Sequence, residues 1–189
     1  MAIKIGIIAE DKSDVDVVTA FAKSLAAKTI QTKWFKGDGC GKIHAKCHSW
    51  AEALRLKGCS VLILLHDLDE KKVTVLHKSL TGALMPSPIS KFIIAIPIRE
   101  LEAWLLCDNA AITSALKLKK AFPRIANPET IFRPKERLRD LVYSLSQQRI
   151  TYVTTIHNPK IAEKASIEEI AKRCASFLPL KQFLETHLA

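Results

Sequence analysis

Short β-prone segments alternate with helical patterns through the first hundred residues, and this alternation constrains the fold more than any other feature. Strands are predicted at residues 2–9, 29–35, 61–66 and 92–98. Apolar residues at helical spacing follow each of the first three strands, with the first helix capped by Ser13 or Asp14 and the others at 43–57 and 71–84. Because strands separated by helices pair in parallel, we expect a mostly parallel α/β sheet flanked by helices.

The second half of the chain has a different pattern. Strand signals fade there, apart from a weak β-prone patch at 150–156, and helical patterns dominate. Asn158-Pro159 is typical of a helix cap followed by a first-turn proline. We therefore expect two parts, an α/β core at 1–108 and a helical C-terminal extension at 109–189 packed on that core.

Composition excludes several classes of protein. Apolar residues make up 48% of the chain and charged residues 25%, which is typical of a globular protein and argues against disorder. The longest apolar runs, at 61–65 and 92–98, are far shorter than the roughly 20 residues that cross a bilayer. The apolar run at 5–9 is too short for a signal peptide, and the five cysteines are scattered, so we expect a cytoplasmic protein without disulfides that does not span a membrane.

Acidic residues stand at the ends of three of the four predicted strands. They are Glu10 and Asp11 after the first strand, Asp67 and Asp69 after the third, and Glu100 and Glu102 after the fourth. The carboxyl ends of parallel strands meet at one edge of a sheet, so these side chains should converge. A single acidic residue in such a place is often a helix cap, but three strand ends together favour a metal site.

The spacing of Asp67 and Asp69 favours a chelating pair. In extended backbone, residues two apart point to the same side, which would put both carboxylates together. Crowded carboxylates raise each other's pKa unless a cation lies among them. Oxygen ligands without a cysteine or histidine pattern suit Mg²⁺ or Mn²⁺.

The chain is strongly basic, and much of the excess lies in one region. Lys and Arg number 29 against 19 Asp and Glu, and residues 111–150 contain nine basic and three acidic residues. A basic surface beside a carboxylate site favours nucleic acid as the partner, although a solvated helix face is the alternative interpretation. The residues predicted to contact nucleic acid are Lys42, Arg99, Lys117, Lys119, Lys120, Arg133, Lys135 and Arg137.

The sequence also argues against three other kinds of nucleotide or phosphate site, because each lacks a residue that it requires. The glycine-rich segment 37–42 is not a P-loop, because Ile43 stands where Ser or Thr must bind magnesium, and it is not a dinucleotide fingerprint, because Lys42 replaces the third glycine. We interpret it as a tight turn. A phosphoacceptor receiver would also place an aspartate, here Asp67, after the third strand, but the lysine that it needs after a fifth strand is not found.

The order of these residues resembles the Toprim domain of topoisomerases, bacterial primases, small ribosomal-RNA maturases and overcoming-lysogenization-defect nucleases. The resemblance rests on Glu10 after an apolar first strand, a glycine turn after the second, and Leu-His-Asp-Leu-Asp at 65–69 after the third. The segment 99–108, Arg-Glu-Leu-Glu-Ala-Trp-Leu-Leu-Cys-Asp, is similar more narrowly to a Toprim-related bacterial domain of unknown function, number 4276. The resemblance implies a Toprim-like, Rossmann-like fold over the whole chain.

The same resemblance implies roles for the acidic residues. Glu10 matches the Toprim glutamate of acid/base chemistry or metal binding, and Asp67 and Asp69 match the magnesium-binding pair. Glu100 or Glu102 matches the carboxylate that nuclease members add for a second cation. The implied function is a Mg²⁺-dependent nuclease acting on DNA or RNA, in the setting of bacterial defence. Two cations would then bind the scissile phosphate, one activating water and the other stabilising the leaving oxygen.

Two departures from the Toprim pattern narrow this expectation. Asp11 replaces the glycine that usually follows the glutamate, and Tyr143 and Tyr152 lie in the extension rather than near the core, which argues against a topoisomerase. A non-catalytic module of the same fold that binds nucleic acid or a protein is the alternative. A second copy of the chain and a partner ATPase stay open as further partners.

Overall fold

Four parallel strands form the sheet at the centre of the protein. The computed structural model describes residues 2–37 and 40–188. The strands are β1 (Ile3–Ala9), β2 (Ile30–Lys36), β3 (Val61–Leu65) and β4 (Phe92–Ala95). They pair in the order β2-β1-β3-β4, and every pair is parallel. With helices on both faces, this is a Rossmann-like α/β fold, which confirms the predicted fold class.

Helices connect the strands and form most of the chain after β4. They are α1 (Lys12–Leu25), α2 (Cys40–Leu56), α3 (Val73–Leu84), α4 (Glu102–Leu105), α5 (Asn109–Ala115), α6 (Pro134–Leu145), α7 (Thr154–Ala162), α8 (Ile167–Arg173) and α9 (Leu178–Leu188). Two short 3-10 helices are Pro128–Thr130 and Ala175–Phe177. Among the described residues, none of these helices is long and apolar enough to cross a membrane.

The sheet separates two apolar layers. Ile5 and Ile7 of β1 face a layer that includes α1 and the helices after residue 108, whereas Ile8 faces a layer formed with α2 and α3. This alternation follows from the two-residue period of a strand. On the first face, the Phe177 ring packs edge-on against both Phe21 and Trp104, with centroids 5.4 and 5.1 Å away. Residues from both halves of the chain therefore share one core.

Several local predictions differ from the structure. The cap of α1 is Asp11, not Ser13 or Asp14: the Asp14 N–H donates to the Asp11 carboxylate at 3.2 Å, and the Asp11 N–H donates to the Asp14 carboxylate at 3.1 Å. The weak β-prone patch at 150–156 does not form a strand, and α7 begins within it. The cap predicted at Asn158-Pro159 is also wrong, because both residues lie inside α7. The predicted glycine turn includes residues 38 and 39, which lie outside the described residues.

Candidate functional site

The strand order creates a crevice between β1 and β3. The chain leaves β1 toward β2 on one side, and β3 pairs with β1 on the other side. At such a switch point the loops after the two strands diverge, and ligands of open α/β sheets bind there. Glu10 follows β1 and Asp67 follows β3, so both predicted residues border this crevice.

Glu10 lies against a fully buried histidine. Its Oε1 is 3.0 Å from His66 Nδ1, but Nδ1 is directed at the Asp67 carbonyl oxygen at 2.7 Å. Because a carbonyl oxygen only accepts, Nδ1 carries the proton. Glu10 Oε1 and His66 Nε2 are both buried without a hydrogen-bond partner. Burial raises the pKa of Glu10, with a further contribution from the Asp69 carboxylate, and burial lowers the pKa of His66.

Asp67 is at the centre of a group of carboxylates. Its Oδ1 accepts the Leu101 N–H at 2.9 Å, which fixes the loop before α4 against the end of β3. Burial raises the pKa of Asp67 well above its usual value, and four neighbouring carboxylates raise it further. These neighbours are Asp14, Glu102, Glu10 and Asp69. We call these five residues the acidic cluster; they repel one another when ionised.

Asp14 is a member of the acidic cluster that sequence reasoning missed. Burial, followed by the charge of Asp11, raises the pKa of Asp14 to about 8. The charges of Glu102 and Glu10 act in the same direction. From the sequence, Asp14 was interpreted only as a helix cap. Its position at the start of α1 did not show that it lies near Glu10 and Glu102.

Glu102 is buried and is hydrogen-bonded by a residue of α7. This side chain is only 5% exposed, and its Oε1 accepts a hydrogen bond from Asn158 Nδ2 at 3.0 Å. The same Nδ2 lies 3.0 Å from the Ser13 hydroxyl, and the Tyr152 hydroxyl donates to Asn158 Oδ1. Burial raises the pKa of Glu102, while the Asn158 hydrogen bond opposes the rise. Sequence reasoning predicted Glu102 but not Asn158, which binds it, nor Ser13 and Tyr152, which bind Asn158.

Asp69 and Glu100 lie at the rim rather than in the interior. Asp69 is exposed and has φ of 52°, so the extended backbone assumed for the Asp67 and Asp69 pair is wrong at Asp69. Its N–H donates to the Arg99 carbonyl oxygen at 2.9 Å. Glu100 Oε2 accepts the Lys135 N–H at the start of α6, at 2.8 Å. Glu100 therefore acts as a cap for α6.

The basic residues predicted to contact nucleic acid lie in several separate parts of the surface. Arg99 and Arg133 stack on the exposed Phe132 ring, 4.9 and 5.7 Å from its centroid, and line a small cavity of about 150 Å³ together with Asp69 and Glu100. Lys135, exposed at the start of α6, is also near the cluster, because its charge lowers the pKa of Glu102. The others lie elsewhere: Lys42 is in the first turn of α2, Arg137 is exposed on α6, and Lys117, Lys119 and Lys120 follow α5. Only part of the predicted basic set therefore borders the acidic cluster.

The acidic cluster contains most of the carboxylates that were predicted to bind a metal ion. Within residues 2–37 and 40–188, no three His, Cys, Asp or Glu side chains are grouped so as to hold a metal ion. The donor chemistry nevertheless suits a hard cation, because the cluster offers carboxylate oxygens and one of them, Glu10 Oε1, is buried without a partner. Bound protons or a cation would relieve the repulsion that raises these pKa values.

Comparison with known proteins gives a family but no characterised relative. No curated protein and no solved structure shows a significant match to the chain. Residues 14–185 match the family described as Domain of unknown function (DUF4276). The matched region includes every member of the acidic cluster except Glu10. Since the match covers most of its length, the chain belongs to the DUF4276 family.

Proposed function

We propose that this protein is a Toprim-like, Mg²⁺- or Mn²⁺-dependent nuclease that hydrolyses the phosphodiester bonds of nucleic acid. The observation that supports this proposal is the convergence of Glu10, Asp67 and Glu102, from three separate segments, at the crevice between β1 and β3. Burial raises the pKa of all three carboxyl groups, and the charges of Glu10 and Glu102 raise the pKa of Asp67 further. The four charges that act most strongly on the pKa of Asp67 are all carboxylates, so pairing with a cation does not explain the position of Asp67.

The residues have distinct roles in this proposal. Asp67 and Asp69 would hold the cation, with Glu102 completing the set from α4. A divalent cation at this place polarises the scissile phosphate and stabilises the charge of the leaving oxygen. Because no three-residue group is preformed among the described residues, binding requires side chains to move inward, which the exposed Asp69 permits.

Glu10 is the residue proposed for proton transfer. Its raised pKa and its position beside the fully buried His66 make it a base that accepts a proton from the attacking water. The water oxygen forms a bond to phosphorus, the bond from phosphorus to the leaving oxygen breaks, and the leaving oxygen takes the proton that Glu10 has accepted. Arg99 and Arg133, at the rim beside Asp69, are placed to attract the flanking phosphates.

The test compares metal binding and cleavage in matched variants. We expect wild-type protein to bind Mn²⁺ by calorimetry and to cleave plasmid DNA or RNA with Mg²⁺ or Mn²⁺ but not with EDTA. Asp67→Asn should lose at least a hundredfold in cleavage, whereas Asp140→Asn, an exposed carboxylate on α6, should not change it. Cleavage that persists in Asp67→Asn would contradict the proposal.

The same assay separates the two glutamates before and within α4. Glu100 already accepts the Lys135 N–H, whereas the charge of Glu102 raises the pKa of Asp67. We therefore expect Glu102→Gln to weaken Mn²⁺ binding about tenfold or more and Glu100→Gln to leave it nearly unchanged. Equal effects of the two substitutions would show that the rim glutamate is a ligand as well.

The second candidate is a binding module of the same fold without turnover. It is favoured by the lack of a preformed metal group among the described residues. This candidate predicts salt-sensitive binding of polynucleotide with no cleavage in any divalent metal. The cleavage assay with Mg²⁺, Mn²⁺ and EDTA therefore distinguishes it from the nuclease.

A further inference from the structure

A second concave surface lies between the segment that follows α5 and the C-terminal end of α6. It encloses about 370 Å³ and has an apolar floor. We call it the basic groove. Its lining consists of Lys117, Leu118, Lys119, Lys120, Leu145, Ser146, Gln147, Arg149 and Ile150.

The charge of the basic groove is not compensated within the described chain. Lys117, Lys119, Lys120 and Arg149 are all exposed, and no acidic side chain lines the groove. Elsewhere on the surface most ion pairs join neighbours on one helix, such as Arg139 with Asp140, but these four cations form no ion pair with any described residue. Four like charges around an apolar floor are complementary to a ligand that carries several negative charges on an apolar frame.

Helix α6 connects the basic groove to the acidic cluster. Its first turn is fixed to the rim of the cluster, where the Lys135 N–H donates to Glu100, and its last residue, Leu145, lines the groove. A helix of 12 residues is about 18 Å long at 1.5 Å per residue. Arg137 is exposed on α6 between the two ends. The two sites are thus about one helix length apart.

We propose that the basic groove docks the phosphate backbone of a polynucleotide whose cleaved bond lies at the acidic cluster. A strand of duplex nucleic acid advances about 3.4 Å per nucleotide, so about 18 Å corresponds to about five base pairs. Substrates must extend about five base pairs beyond the cleaved bond to contact both sites. The length requirement rests on the proposed nuclease function, whereas the docking itself does not.

Binding is measured first, without metal, so that cleavage is not needed. The charge-reversal pair Lys119→Glu with Lys120→Glu is compared with Lys78→Glu with Lys91→Glu, two exposed lysines away from the groove. The probe is a fluorescent 24-base-pair duplex, as DNA and as RNA, titrated in EDTA over a range of KCl concentrations. We expect the groove pair to weaken binding at least tenfold and to lower the salt slope by about two, and the control pair to change binding less than threefold.

Cleavage is measured second, on a large and a small phosphodiester. With Mn²⁺, the groove pair should reduce cleavage of the 24-base-pair duplex at least tenfold and leave hydrolysis of bis(p-nitrophenyl) phosphate unchanged, because that small ester cannot reach the groove. Equal binding by both variant pairs would overturn the docking site. Equal losses on both esters would overturn the length requirement. If wild-type protein hydrolyses neither ester, the nuclease proposal fails, while the binding measurement still decides whether the groove docks nucleic acid.

Discussion

The Asp14 carboxyl group takes part in the cap of α1 and is also buried among other acidic groups. Its Oδ2 accepts the Asp11 N–H in the cap of α1, which favours an oxygen acceptor at this position. Burial and the neighbouring acidic charges nevertheless raise its pKa to about 8, far above the usual value of 3.8. The cap therefore needs the oxygen but not the negative charge.

We expect Asp14→Asn to stabilise the metal-free protein at high pH. A folded pKa above the unfolded value means that the native state holds a proton more tightly, so Asp14 costs stability progressively as pH rises from about 4 to about 8. Asparagine keeps the acceptor and removes the charge. In urea titrations, the free energy of unfolding should rise by about 1 kcal/mol or more at pH 8.5 and change little at pH 4.

The control for this prediction is Asp140→Asn, which removes an exposed carboxylate on α6. It should shift stability by less than about 0.5 kcal/mol at either pH. A loss of stability in Asp14→Asn that is equal at pH 4 and pH 8.5 would contradict the prediction, because it would mean that the cap outweighs the charge.

Prediction from sequence worked well for elements whose signals are local. All four strands appear where apolar β-prone runs predict them. β4 ends at Ala95 rather than at residue 98, because Pro97 has no N–H to donate to a neighbouring strand. Glu10 lies close enough to Asp67 to raise its pKa, as the convergence of parallel strand ends predicts, whereas their role as site residues stays a prediction. These inferences need only the order of elements along the chain.

Other features depend on contacts between distant parts of the sequence, which no local pattern encodes. Asn158 and Pro159 match a helix cap and first turn locally, but the cap of α7 is Val153, five residues before Asn158. The Val153 N–H donates to His157 Nδ1 at 2.8 Å. Asn158 instead points inward to Ser13, 145 positions away in the sequence, and to Glu102. Only the tertiary packing of α7 against α1 reveals this role.

We expect Asn158→Ala to destabilise the protein by about 2–3 kcal/mol. The substitution leaves the buried Glu102 carboxylate and the Ser13 and Tyr152 hydroxyls without their shared partner. Buried polar groups that lose a hydrogen bond cost about 1–3 kcal/mol, and more when charged. Chemical unfolding at pH 7 measures the loss, with Asn127→Ala as the control, since Asn127 is exposed and its side chain makes no cap hydrogen bond. Equal stability of the two variants would contradict the role assigned to Asn158.

At the scale of the whole molecule, the two parts predicted from sequence pack as one. Fully buried side chains of α1 and of the helices after residue 108 form a continuous layer on one face of the sheet. Phe177 contacts both Phe21 and Trp104, and α9 packs against α1 and β4. The C-terminal helices therefore cover the face that α1 alone leaves open.

A chain ended after residue 108 should therefore fail to fold cooperatively. It would keep all four strands but expose apolar side chains that the later segments cover, such as Phe21 and Trp104, which both contact Phe177. Uncovering several large side chains costs about 1.5–3 kcal/mol each, which is comparable to the whole stability of a small domain. We expect a broad thermal transition, strong binding of a hydrophobic dye and no Mn²⁺ binding, because Glu102 would also lose Asn158. A sharp transition in the shortened chain would show instead that residues 1–108 are an independent domain and that the helices are an addition to it.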